Sequence, residues 1–210
     1  MNRFAKTAAR IALVVSLAAG LAGCGVNTIL TQDEVTKTAW AEVQNQYQRR
    51  ADLVPNLVAT VKGYAAQEKS VLVEVTQARA SATQVKVDAS TITDPAAFET
   101  YAAAQDQLSG VLGRLMMIQE SYPDLKSNQN FMALQSQLEG TENRITIARR
   151  DYNTTAQTYN TTLRTFPSIL WAKTMYSGQK PAVLFQATAA AQSAPTVNFD
   201  TAPPASAPAQ

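Results

Sequence analysis

The 210-residue sequence contains no histidine, and that absence removes more chemistry than any other. Histidine is the commonest general base near neutral pH and the commonest protein ligand for transition metals. The Glu-x-x-His pairs that hold two-metal centres in helical carboxylate proteins therefore cannot form. Cysteine is almost missing too: Cys24 stands alone, so no intrachain disulfide exists. The few glycines form no phosphate-cradling loop, and no serine sits in a nucleophile-elbow context. Glu139 and Glu142 lie three apart and share a helix side, an arrangement that reads as a solvated or salt-bridged face. Together these absences predict a non-enzymatic protein with no cofactor and no resident metal.

What the chain does carry begins at its first residues. Arg3, Lys6 and Arg10 precede an apolar run over residues 11–22. That run is short of the roughly twenty residues a membrane-spanning helix needs, so residues 1–23 read as a targeting segment. It closes on Leu21, Ala22, Gly23 and Cys24, which resembles the lipobox of bacterial lipoproteins. In such proteins the signal is cut before the cysteine and the cysteine is acylated, typically with palmitate. Cys24 is accordingly the expected lipidation site and residues 24–30 a tether. The alternative is an ordinary secretory signal with an incidental cysteine. Gly25, rather than Asp, follows. In Gram-negative lipoproteins this resembles an outer-membrane sorting signal, which favours the outer membrane facing the periplasm over the inner membrane. Loss of the three signal cations leaves 15 basic residues against 16 acidic ones. A near-neutral mature chain offers no phosphate-neutralising surface, so no nucleic-acid partner is expected.

The middle of the chain is helical by pattern. Between Asn130 and Ser168, Phe131, Leu134, Leu138, Ile145, Ala148, Tyr152, Tyr159 and Leu163 recur at steps of three, four and seven. That is the seam of a long helix packed lengthwise on others. A first helix is expected from about Thr31 to Leu53, with Val35, Ala39, Val43 and Tyr47 in one stripe and Trp40 beside it. Pro55 predicts a corner at Leu53–Pro55 and a second helix starting there, because a proline suits a first helical turn. That second helix carries Leu57, Val61, Tyr64, Val71, Val75 and Ala78. Asp94 followed by Pro95 marks the start of a third helix, which ends near Pro123. The expected fold is all-α, an antiparallel up-down-up-down four-helix bundle over residues 31–168. Residues 169–186 form a short apolar flap, whose packing on the bundle the sequence leaves open. The Ala-, Ser- and Pro-rich stretch 187–210 is expected to be a disordered tail.

Two polar features stand out within the helices. Arg49 and Arg50 precede the proline, and Arg149 and Arg150 lie midway along the last helix. They read either as surface ion pairs of small energetic weight or as a docking patch. A repeat follows: Tyr152, Asn153, Thr154, Thr155 recurs one heptad later as Tyr159, Asn160, Thr161, Thr162. It puts two tyrosines on the seam and two asparagines beside it. Packing and interhelical hydrogen bonding is one reading; a ligand-binding polar stripe through Asn153 and Asn160 is the other.

Three blocks of sequence resemble a known family. RRADLVPNLVATVKGYAAQEK, SYPDLKSNQNFMALQSQLEGTENRITIARRDYN and YNTTLRTFPS, within residues 35–168, are similar to the signature blocks of the LemA family. The resemblance implies an antiparallel helical bundle held at a bacterial membrane by its N-terminus, with its bulk outside the cytoplasm. It implies no catalytic residues. Family members usually begin with a membrane-spanning helix that runs into the bundle, and the Cys24 signal replaces it here. The expectation is a lipid-anchored envelope scaffold or adaptor for membrane or periplasmic proteins. The alternative is a binding module for peptidoglycan or a lipid along the polar helix face.

Overall fold

Two helices of 37 and 36 residues, α1 (Thr28–Tyr64) and α5 (Gln129–Arg164), form the spine of the molecule. The structure, a computed structural model, describes residues 26–186. Between the two spine helices come α2 (Lys69–Gln84), α3 (Pro95–Met117) and the single turn α4 (Pro123–Lys126). A short α6 (Ser168–Thr174) follows α5, and an extended strap, residues 179–186, comes last. No strand occurs among the described residues. The signal, Cys24 and the residues from 187 onward lie outside them.

The expected corner at Pro55 is corrected: Pro55 lies inside α1, and the break comes at residues 65–68. The reason is a buried seam that passes straight through the proline. Trp40, Val43, Tyr47, Arg50, Val54, Leu57 and Val61 alternate steps of three and four, and all are buried. Packing of that stripe outweighs the local preference. Pro55 has no N–H to give the carbonyl of Ala51, four residues earlier. Arg79 of α2 supplies the missing donor, its Nε reaching the Ala51 oxygen at 2.8 Å. The first stripe is shifted as well, since Val35 is 44% exposed and Trp40 lies at the seam's centre.

Helix starts follow local chemistry. The Asp94 carboxylate accepts from the N–H groups of Ala96 and Ala97 at 3.0 and 3.3 Å, with Pro95 at the first position. Asn128 caps α5 through the Phe131 N–H at 2.9 Å.

Two cores stack along the rod. One end is mainly aliphatic: Leu57 and Val61 of α1, Leu72 and Val75 of α2, Leu112 and Leu115 of α3, and Phe131 of α5. The other is aromatic: Trp40, Tyr47, Phe98, Tyr101, Tyr152 and Phe185, with ring centroids 4.7–6.1 Å apart. The start of α1 thus meets the end of α5, which makes them antiparallel, while α3 runs in the direction of α1. α2 packs on α1 and α3 only along the aliphatic end. At the aromatic end the strap and the loop before α3 close the core instead, with Val183 N–H donating to the Ile92 carbonyl at 2.7 Å. The segment expected as an apolar flap is therefore about two turns of helix plus a strap laid along α5.

Candidate functional site

Between the two cores lies a polar layer built around Arg50, whose side chain is 1% exposed. Its position follows from the seam: Arg50 takes a core register that an apolar residue would otherwise fill. The guanidinium donates to Glu142 of α5 at 3.0 Å and to the Ser109 hydroxyl of α3. It also donates to the carbonyl and side-chain oxygens of Gln105 at 3.0 and 2.7 Å. Gln105 passes the network on, its amide donating to the Ala82 carbonyl of α2 at 3.1 Å. One buried cation therefore ties together α1, α3 and α5, and through Gln105 reaches α2. Both terminal nitrogens of the guanidinium are bonded, while its buried Nε has no partner among the described residues. A buried charge persists through hydrogen bonding of this kind, and such networks can fix register. Arg50 is consequently no part of an exposed docking patch.

The other arginines divide. Arg149 bonds Asp106 of α3 at 3.1 Å and lies over the Phe185 ring, 4.4 Å from its centroid. Among the described residues Arg150 pairs with its neighbour Asp151 at 3.0 Å, and it is largely exposed, as is Arg49. The four arginines do not converge on one surface. Glu139 and Glu142 also part company, Glu139 accepting from Gln135 at 3.0 Å while Glu142 serves Arg50.

The second constellation uses the repeated asparagines. Asn160 accepts the Ala182 N–H at 2.7 Å and donates to the Ala182 carbonyl at 2.8 Å. Asn153 does the same to Phe185, at 2.9 Å in both directions. Each amide thus closes a ring on one strap residue, as a neighbouring β-strand would. The spacing is what makes two rungs possible. Seven helical residues rise about 10.5 Å, and three extended residues from Ala182 to Phe185 span about 10 Å. Tyr152 donates its hydroxyl to the Val183 carbonyl at 2.7 Å, and Tyr159 donates to Gln179 at 2.9 Å. Burial pushes the Tyr152 phenol well up, and burial with the nearby Asp33 carboxylate raises Tyr159 to about 12. Both remain neutral donors at any physiological pH.

Sequence reasoning missed Gln105, Ser109, Gln179 and Phe185. An unbroken three-four seam containing a single arginine was the available signal for the polar layer. The strap offered none, since an extended segment of eight residues carries no periodicity that points at its partner.

Among the described residues, helices whose interior polar groups tie them to one another and to the strap define the class of protein. The chain belongs to the LemA family, whose family model matches residues 39–199. It is 26% identical over 157 residues to magnetosome protein MamQ 2 of Paramagnetospirillum magneticum, covering 67% of this chain and 58% of the relative. Magnetosome protein MamQ of Magnetospirillum gryphiswaldense is 25% identical over 157 residues, with the same two coverages. Protein LemA of Metamycoplasma hominis is 24% identical over 140 residues, covering 67% of this chain and 60% of the relative. The match spans less than two thirds of the length of these curated relatives. Among the described residues no helix is long and apolar enough to cross a membrane.

Proposed function

We propose that this protein is a non-enzymatic, lipid-anchored scaffold or adaptor of the bacterial cell envelope, with the outer membrane facing the periplasm as its address. The observation that carries the reading is the distance from the lipobox to the rod: Cys24 lies four positions before Thr28, where α1 begins. An acylated Cys24 would hold the aromatic end at the membrane and project the aliphatic end about 55 Å outward, at 1.5 Å per residue of α1. Several acyl chains anchor stably, since each buried methylene adds about 0.8 kcal/mol. The four long helices are read as an up-down-up-down bundle, a shape suited to presenting side faces to partners. Exposed apolar residues Leu30 and Val35 line an open groove between α1 and α5, which supports docking on those faces. Membership of the LemA family supports an envelope-associated protein, and relatives named as magnetosome proteins are in keeping with a part in a larger assembly.

The alternative ligand, peptidoglycan or a lipid on Asn153 and Asn160, would compete with the strap, because each amide already accepts from and donates to it. In-cell crosslinking with mass spectrometry, comparing wild type with Cys24→Ala, tests the scaffold reading. A defined set of envelope proteins captured by wild type and lost in the soluble variant is expected. Capture of nothing beyond lipid and abundant porins by the wild type would sink it.

A further inference from the structure

The strap sits on α5 the way an extended peptide sits in a receptor. Both asparagine rungs contact only backbone, so they recognise an extended chain whatever its sequence. Two further backbone bonds fix Val183 between them, to the Ile92 carbonyl and the Tyr152 hydroxyl. Selectivity then rests on two side chains. Ala182 is buried beside Asn160 of α5, and Phe185 enters the cage of Trp40, Phe98 and Tyr152 beneath Arg149. A small residue followed three positions later by phenylalanine is the pattern the groove reads. Backbone rungs plus spaced side-chain pockets are the general means by which proteins bind extended peptides.

We propose that the α5 face around Asn153 and Asn160 is a peptide-recognition groove, occupied in cis by residues 179–186, and that it accepts the same segment from a second copy of this chain. The second copy is the occupant whose sequence is known to fit. Exchange of an identical element between protomers needs no new interface, which makes it a low-cost route to a dimer. The inference rests on the anchored reading in one respect: copies held through Cys24 would carry their grooves at the same height above the membrane. Local concentration then favours exchange.

Two full-length variants separate donor from acceptor. Asn153→Ala/Asn160→Ala keeps an intact strap and lacks the rungs, whereas Phe185→Ala keeps the groove and loses the strap's anchor. Each alone is expected to be monomeric by native mass spectrometry, and an equimolar mixture is expected to give a one-to-one heterodimer. A fluorescent peptide of residues 178–187 should bind Phe185→Ala at least tenfold more tightly than wild type, whose own strap competes. The same peptide with alanine in place of phenylalanine should not bind. Ala182→Glu, which ejects the strap by charge and bulk, serves as acceptor if Phe185→Ala does not fold by circular dichroism. Folded variants that neither take up the peptide nor pair overturn the groove. Peptide binding without a heterodimer overturns the second copy as its occupant. Both measurements use purified protein in solution, so neither result bears on the Cys24 crosslinking outcome.

Discussion

At the scale of single residues, Pro55 and Arg79 act as one unit. A proline inside a helix normally costs about 3 kcal/mol, partly through the carbonyl it leaves unpaired. Here that carbonyl, Ala51, is bonded by the Arg79 Nε. Removing Arg79 should strand a largely buried acceptor and cost about 1–3 kcal/mol. In a Pro55→Ala background the new N–H pairs with Ala51 instead, and the same Arg79→Ala change should cost far less. Chemical denaturation of the four proteins in a double-mutant cycle reads the coupling, expected at about 1 kcal/mol or more. Additive effects would refute it. The tyrosines give a second residue-level expectation. Tyr159 is raised to about 12 and Tyr152 is raised further by burial. Between the free phenol value near 10 and these values, the unfolded chain releases protons that the folded chain keeps. The tyrosines' contribution is therefore complete below about pH 10 and falls as pH rises towards 12. Stability measured across that range should decline, and replacing Tyr159 by Phe should flatten part of the decline. An unchanged slope in that variant would count against the assignment.

At the scale of elements, the asparagine rungs hold the strap but carry nothing at the far end of the rod. Asn153→Ala removes both bonds to Phe185, and Asn160→Ala both bonds to Ala182. Each change should cost about 1–3 kcal/mol, because both partners are buried. Hydrogen exchange should show lost protection at residues 182–185 with little change at Leu57 or Leu115. Uniform loss along the whole chain would contradict this division. Elements were unequally legible in the sequence. The Tyr-Asn repeat was readable as a structural device because its heptad period matched the seam it lay on. Its partner was not, since periodicity reveals a face and not what covers it. Asp94 with Pro95 was readable because capping is local chemistry. The Pro55 corner was misread for the converse reason: local preference predicted a break, and the buried stripe from Trp40 to Val61, completed by Arg79, overrode it.

At the scale of the whole molecule, two cores of different character share the same two long helices. The Arg50 layer separates them, yet α1 and α5 run through both, so the ends cannot unfold independently while those helices remain intact. Both tryptophans, Trp40 and Trp171, pack at the aromatic end. Their fluorescence therefore reports that end alone, whereas far-ultraviolet circular dichroism reports helix everywhere. In the wild type the two signals should change together in a thermal or denaturant scan, as they do when unfolding is all-or-none. Freeing the strap changes the balance, since the aromatic end then loses the element that stands where α2 stands at the other end. In Asn153→Ala/Asn160→Ala the fluorescence transition should come first and the dichroism transition second, the signature of a subglobal opening. If the two signals still coincide in that variant, the strap stabilises the rod as a whole and the two cores behave as one.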